Sequence, residues 1–425
     1  MRRVVITGLG AVTPLGNDIE TTWDNLTKSI SGIGHITRFD PAGLSSRIAG
    51  EAKNFSPEDY ISRKDVQRLD PFIHYAVAAA TMALEDAGLI RQGPGARGKR
   101  QDEENFVTCH LSLEKAGIVI GSSRGGISTL EQALIRTQTG VSRFSAYLMS
   151  STTISMAASF ISIKFGIKGT SLGISTACAS GANAIGEAAK MVRHGETDIA
   201  VAGGAEAPVC RLAVGGYAAS GALSGRDHEP RKASRPFDRD RDGFVISEGA
   251  GILVLEELGH ALKRDARIYA ELAGYGTSSD AYHQTKPGSE GESAAMLAAL
   301  ADAGVAPEEI DYINAHATST IPGDAAEAEA VRKVFGKRAH DVPVSSCKSM
   351  LGHMLGAAGA VEAAITALSI HRGTIVPTLN LENPGPACDL GHVTSVTEKK
   401  INAALTNSFG FGGVNAALAL KKFTP

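Results

Sequence analysis

Cys178 is the first side chain to weigh for chemistry. It stands in Ser175-Thr176-Ala177-Cys178-Ala179-Ser180-Gly181, where an apolar run gives way to a stretch of Ala, Gly and Asn. That pattern predicts a strand ending, and a helix beginning, at the thiol. Free N–H groups and the positive end of a helix dipole favour a thiolate, and small neighbours leave room for a substrate. Buried cysteines are more commonly inert packing residues. Position alone leaves the nucleophile and the packing residue both standing.

His316 sits in Asn314-Ala315-His316-Ala317-Thr318-Ser319-Thr320, and His353 in Lys348-Ser349-Met350-Leu351-Gly352-His353. Each follows a predicted strand, where α/β folds place ligand sites. A single histidine there is usually structural; two, in loops resembling the Cys178 loop, favour a site. No His-x-x-x-His or carboxylate partner pattern accompanies them, so a metal centre is not expected. Asn407-Ser408-Phe409-Gly410-Phe411-Gly412-Gly413 is a glycine-rich loop with two aromatic rings. It reads either as a backbone that can approach a ligand or as a hairpin with two core rings. Gly8-Leu9-Gly10-Ala11-Val12-Thr13 lacks the third glycine of a dinucleotide loop, with Thr13 in its place and Pro14 behind it.

The elements that must position these residues follow from periodicity and punctuation. Strands are predicted at 4–10, 116–121, 171–176, 198–203, 268–276, 310–315, 342–346, 403–407 and 414–420. Helices are predicted at 70–87, 145–165, 179–194, 293–303 and 355–371. Segment 91–115 is polar and reads as an insertion without a core of its own. Residues 174–178 and 344–348 share a design, each a strand end followed by a small-residue helix. This predicts a duplicated βαβ unit with a junction near 255–270, hence an N-terminal half of 1–260 and a C-terminal half of 261–425.

Composition bounds the function. The chain has 425 residues, 43% of them apolar and 20% charged, enough for a large core. Net charge is −3, which argues against a general nucleic-acid or anionic-membrane binder. The five cysteines are widely spaced with no Cys-x-x-Cys, so a disulfide framework or structural zinc is not expected and a reducing compartment is. No apolar run reaches the ~20 residues of a membrane span, and the N-terminus shows no cleavable signal pattern.

Together these segments resemble the β-ketoacyl-[acyl-carrier-protein] synthases of the elongating type, the KAS I/KAS II group of the thiolase superfamily. The resemblance runs from Val4-Val5-Ile6-Thr7-Gly8 through the Cys178 motif, Gly203-Gly204-Ala205-Glu206, Arg235-Pro236-Phe237-Asp238 and Asp242-Gly243-Phe244-Val245 to the two histidine motifs and the 407–413 loop. It implies a thiolase-like five-layered αβαβα fold, a homodimer, and condensation of an acyl thioester with malonyl-carrier protein. Cys178 would carry the acyl group, with its own N–H and that of Phe411 as an oxyanion hole. His316 and His353 would donate hydrogen bonds to the malonyl thioester oxygen, and Lys348 would support them. Glu327 matches an acidic residue that anchors the lysine and the loops. Thr318 and Thr320 match residues that meet the pantetheine arm, and Phe409 and Phe411 match an acyl gate. No cofactor is implied, since decarboxylation drives bond formation.

The same residues separate the related branches. A degradative thiolase pairs its nucleophile with a second cysteine, whereas His353 occupies that loop here. The initiating synthases resemble Cys-His-Asn rather than Cys-His-His. Ala317, Ser247, Val414 and the 91–115 insertion depart from common family residues, as does Arg124 in Gly121-Ser122-Ser123-Arg124-Gly125-Gly126. Arg124 either meets solvent or an acidic partner, or it shortens or polarises the acyl pocket. Arg63, Lys64 and Arg68 match a basic cluster suited to an acidic carrier protein, or form an ordinary solvated face. The expected role is fatty-acid elongation in a bacterial cytoplasm or a plastid stroma. A condensing subunit of a specialised polyketide or polyene pathway is the alternative, and a non-catalytic heterodimer partner a third.

Overall fold

Ten strands line up in one sheet in the computed structural model, which describes residues 2–92, 106–108, 112–140 and 143–424. They are β1 (Val4–Val12), β2 (Gly117–Gly121), β3 (Ser171–Ile174), β4 (Ile199–Glu206), β5 (Gly249–Glu257), β6 (Ala270–Ser279), β7 (Tyr312–Asn314), β8 (Val344–Ser345), β9 (Ala403–Gly410) and β10 (Val414–Lys421). Their order is β8-β7-β9-β10-β6-β1-β5-β4-β2-β3. Outward from the middle, β1-β5-β4 are antiparallel and β4-β2-β3 parallel. On the other side β6-β10-β9 are antiparallel and β9-β7-β8 parallel. The same five-strand order and directions thus occur twice. The two sets join through only two residue pairs, Val5–Glu271 and Ile6–Ala270.

Helices complete the layers. Helices α1 (Pro71–Asp86) and α2 (Met156–Phe165) cover the outer face of the first set. Between the two sets lie α3 (Ser180–Arg193) and α6 (Ala358–Arg372), while α4 (Ser289–Ala303) and α5 (Ile321–Phe335) cover the outer face of the second. Every residue of α6 from Ala358 to Ile370 is buried, as a helix covered on both sides requires. The architecture is the thiolase-like five-layered αβαβα fold.

Glycines set the spacing of the first layer. Gly8 and Gly10 lie within β1, and a Cβ on Gly10 would come 2.0 Å from the carbonyl oxygen of Ala79 in α1. They bring strand and helix together and form no phosphate loop. The helix predicted over 145–165 divides into Leu148–Thr152 and α2. Thr153 turns extended between them, while the hydroxyls of Thr152 and Thr153 bond back to the carbonyls of Leu148 and Met149 at 2.9 and 2.7 Å. Several elements escape the periodicity reading, among them the helices Ile19–Thr27, Ile127–Gln138 and Arg211–Ala219 as well as β5 and α5. Strand β5 is a continuous buried run with no alternation, and α5 carries acidic residues on its inner face. Of the polar segment 91–115, Ile90–Gln92 pairs with Phe106–Thr108, and much of the rest lies outside the described residues. Among the described residues no helix is long and apolar enough to cross a membrane.

Candidate active site

Cys178 follows β3 and comes just before the N-cap, Ala179, of helix α3. Ala177 holds φ at +50°, a left-handed conformation that costs a β-carbon residue roughly 1–3 kcal/mol. The turn is stapled to tolerate it. Ser180 Oγ donates to Ala177 O at 2.6 Å and accepts the Thr176 N–H at 2.9 Å. Asn183 donates to Thr176 Oγ1 at 2.7 Å, and Tyr275 of β6 donates to Asn183 at 2.8 Å. A turn this tightly held aims the thiol into one place, a cavity of ≈ 320 Å³.

Both histidines reach the same cavity from the second set of strands. His316 follows β7, and its N–H and that of Ala317 bond the two carboxylate oxygens of Glu327 on α5 at 2.8 and 2.6 Å. Asn407 of β9 donates to the same carboxylate at 3.0 Å. His353 is pinned to the 245–247 segment by its own N–H to Val245 O at 2.8 Å and by the Ser247 N–H to its carbonyl at 3.0 Å. The Phe244 ring meets His353 edge-on at 5.2 Å, and the two imidazoles meet edge-on at 5.3 Å. His353 Nε2 stands 3.1 Å from Cys178 Sγ. Neither Nδ1 has a hydrogen-bond partner among the described residues, so nothing outside the site fixes the tautomers.

Electrostatics decide the protonation states. Burial presses the proton affinity of both imidazoles well below the ordinary histidine range, and the nearby Lys348 ammonium presses it further. Both rings are neutral at physiological pH. Burial pushes the Cys178 thiol up to about 11, against the opposing pull of the Phe411 N–H and of Lys348. The helix tip therefore does not make a resting thiolate; desolvation wins, which corrects the sequence expectation. A neutral imidazole beside a neutral thiol can take its proton when an electrophile arrives.

Lys348 is 1% exposed and forms an ion pair with Glu362 of α6. Glu327 holds the His316 loop and acts on Lys348 through its charge, while the direct ion pair of the lysine is with Glu362. Burial raises Glu362 to about 7, with Lys348 opposing. Sequence reading passed over Glu362, although a lone carboxylate in Ala360-Val361-Glu362-Ala363-Ala364-Ile365 is itself a signal. Glu206 has a similar standing. It accepts the N–H groups of Ser123, Arg124 and Gly356 at 2.6, 2.9 and 3.0 Å, tying three segments together beneath the thiol.

Phe409, Phe411, Thr318, Thr320 and Glu327 line the same cavity as Cys178, His316 and His353. The Phe411 N–H faces the Cys178 sulfur, and the hydroxyls of Thr318 and Thr320 lie 3.0 Å apart. The Arg235-Pro236-Phe237-Asp238 motif supports this rim, with the Arg235 N–H on Ser319 Oγ at 3.0 Å and the Phe237 N–H on Asp324 at 2.7 Å. Cys178, His316 and His353 present ligand atoms within 4.8 Å of one another, a set small enough for a divalent cation. The positive field of Lys348 that disfavours imidazolium there also disfavours a metal ion. Arg63, Lys64 and Arg68 lie away from the cavity. Arg63 faces Glu58 at 3.7 Å, and Arg68 stacks on Tyr147 at 4.4 Å beside a groove that also carries Arg136 and Arg143.

Known proteins are similar to this chain along its whole length. A 3-oxoacyl-[acyl-carrier-protein] synthase 2 of Coxiella burnetii is 45% identical over 427 residues, spanning 99% of each chain. One of Synechocystis is 43% identical, over 99% of this chain and 98% of that one. One of Staphylococcus aureus is 46% identical over 99% of both. Among solved structures, the ishigamide ketosynthase/chain length factor matches with a TM-score of 0.90 at 36% identity, and a β-ketoacyl synthase of Burkholderia phymatum with 0.89 at 34%, each over 100% of both chains. The profile of the β-ketoacyl synthase N-terminal domain matches residues 1–261, and that of its C-terminal domain residues 269–382. Fold, strand order and sequence agree that the chain belongs to the β-ketoacyl synthase family.

Proposed function

We propose that this chain is a 3-oxoacyl-[acyl-carrier-protein] synthase of fatty-acid elongation, an acyltransferase with Cys178 as nucleophile. The observation that carries it is the convergence of Cys178, His316 and His353 on one cavity, with His353 Nε2 3.1 Å from the sulfur. In the first half-reaction the thiol attacks an acyl thioester, and the carrier thiol leaves with the proton. Oxyanion charge develops opposite the N–H groups of Cys178 and Phe411. In the second, malonyl-carrier protein enters past Thr318 and Thr320. Its carboxylate leaves as CO2, and the freed electron pair becomes an enolate whose oxygen meets His316 and His353. Donors fixed in a dry site are worth ~2.7–4 kcal/mol each. The enolate carbon attacks the acyl thioester, and Cys178 departs as the thiolate and takes up a proton from solvent. Apart from that solvent proton, every step uses groups of this chain and its two substrates, without a cofactor.

Phe409 and Phe411 close the acyl side, burial together with Lys348 keeps both imidazoles neutral, and Glu327 holds the His316 loop. The two halves, 1–260 and 261–425, supply the nucleophile and the histidines respectively. The partner is an acidic acyl carrier protein that docks at Arg63, Lys64 and Arg68, and the working unit is a homodimer. One structural relative is described as a ketosynthase bound to its acyl-carrier protein. The setting is the cytoplasm or a plastid stroma.

Incubation with acyl- and malonyl-carrier proteins should yield 3-oxoacyl-carrier protein and CO2. Cys178→Ala should lower condensation by at least ~10⁴-fold; retained condensation in that variant removes the nucleophile assignment. A second reading, a condensing subunit for a polyene or polyketide, is favoured by Arg124, whose charge acts on Cys178, and by the structural relative described as a type II PKS ketosynthase. Repeated condensation on unreduced product would mark it. A non-catalytic partner role is disfavoured by the intact Cys178, His316, His353 and Lys348.

A further inference from the structure

The wall of the cavity holds a carboxyl that the proposed mechanism does not use. Glu292, in the first turn of α4, lines the cavity with Cys178 and is 1% exposed, and its Oε2 has no hydrogen-bond partner among the described residues. Four other carboxylates lie close enough for their charge to act on it, and each of them has partners. Asp280 accepts the Gly288 N–H at 2.9 Å and the Asn415 amide at 2.7 Å. Asp324 accepts the N–H groups of Phe237 and Ser319, and Glu327 those of His316 and Ala317. Glu329 faces Lys333 at 3.0 Å. Burial and these four negative charges push the Glu292 carboxyl well above the ordinary range, which favours the un-ionised acid. An acid O–H is a donor, and a buried donor left without an acceptor is costly.

The cavity says what passes this group. Its rim is exposed at Lys286, Ile321 and Phe411, and its buried part holds Cys178 and both histidines. A thioester that reaches the thiol must therefore leave its arm lying along the cavity wall. Four carboxylates disfavour an anion there. The arm of a carrier is uncharged between its phosphate and its sulfur, and the polar groups it offers are two amides. We propose that Glu292 is a binding residue for the pantetheine arm of both substrates, hydrogen-bonded to an amide carbonyl of the arm on the cavity wall it shares with Thr318 and Thr320. The contact is to the arm and not to the acyl group, and it takes no part in proton transfer. This inference rests on the Cys178 acylation proposed above and adds a residue that recognises the donor's arm.

The test is single-turnover acylation of the full chain, read by intact-protein mass, with two donors of one acyl group: octanoyl-pantetheine, and octanoyl-mercaptoethanol, which has no amide. Glu292→Met should slow acylation by octanoyl-pantetheine ~5-fold or more, as expected for one lost hydrogen bond, and the loss should be confined to that donor. Glu292→Gln, which keeps an N–H donor of the same length without the acid, should restore most of the rate. Acylation of Glu292→Met by octanoyl-mercaptoethanol also shows that the variant is folded. An unchanged octanoyl-pantetheine rate in Glu292→Met means that the carboxyl meets only solvent and overturns the proposal. An equal loss with both donors means that Glu292 supports the cavity rather than the arm, and it overturns the proposal too, as does a failure of Glu292→Gln to restore the rate. All three leave the nucleophile standing. No adduct on Cys178 of the unaltered protein with either donor overturns both.

Discussion

At the scale of single residues, the resting site is uncharged where the chemistry happens and charged one step behind. Cys178, His316 and His353 are neutral, whereas Lys348 and Glu362 form an ion pair beneath them. That arrangement keeps the imidazoles as directed hydrogen-bond groups rather than cations. It also predicts how the thiol behaves toward a small electrophile. With the thiol raised to about 11, little thiolate exists at neutral pH. Alkylation of Cys178 by iodoacetamide, followed by peptide mass, should climb ~10-fold per pH unit and show no plateau below about pH 10. A plateau near neutrality would mean a resting thiolate–imidazolium pair, with the helix tip outweighing desolvation. The other described cysteines, Cys210, Cys347 and Cys388, are buried and should lag far behind.

At the scale of elements, close approach of backbones decides where the site residues sit. Gly10 lets β1 touch α1, and a methyl there would press on Ala79 O at 2.0 Å and Ala83 N at 2.7 Å, both backbone atoms that cannot rotate away. Gly10→Ala should lower stability by ~1–3 kcal/mol or more, read as a fall in the thermal midpoint. Gly216, in the helix Arg211–Ala219, has nothing within 4 Å of the point where a methyl would stand, so Gly216→Ala should be neutral or gain up to ~1 kcal/mol. Equal falls in both would show that glycine loss as such, not contact, is being measured. The same contrast explains what could be read beforehand. Segments with caps and periodicity, such as Asp70 with α1, or with a glycine stop such as Gly373 after α6, are legible because the signal is local. Strand β5, buried on both faces, has no alternation to read. The Lys348–Glu362 and Arg124–Tyr217 pairs join residues 14 and 93 positions apart, and only packing brings them together. Motif spacing could name Cys178, His316 and His353, but it could not say that Glu362 makes the direct ion pair with Lys348.

At the scale of the whole molecule, a chain of net charge −3 must attract an acidic partner with local charge rather than with its overall field. Arg68 lies beside a groove that also carries Arg136 and Arg143, and Arg63 and Lys64 stand on the short helix just before it. Arg63 is strongly exposed, and its only ion-pair partner among the described residues, Glu58, is 3.7 Å away, a weak contact in water. On the docking proposed above, these charges would steer a carrier protein, with an effect confined to encounter because the groove is separate from the cavity that holds Cys178. Interactions of this kind weaken with ionic strength and change association more than chemistry. The triple charge reversal of Arg63, Lys64 and Arg68 to Glu should raise the KM for acyl-carrier protein by ~10-fold or more at low salt and leave kcat unchanged. It should leave acylation by pantetheine thioesters, which lack the protein, untouched. The difference between variant and unaltered chain should shrink as salt is raised. An unmoved KM would place the docking surface elsewhere on the molecule, and a fall in pantetheine acylation would mean that this helix supports the cavity rather than the partner.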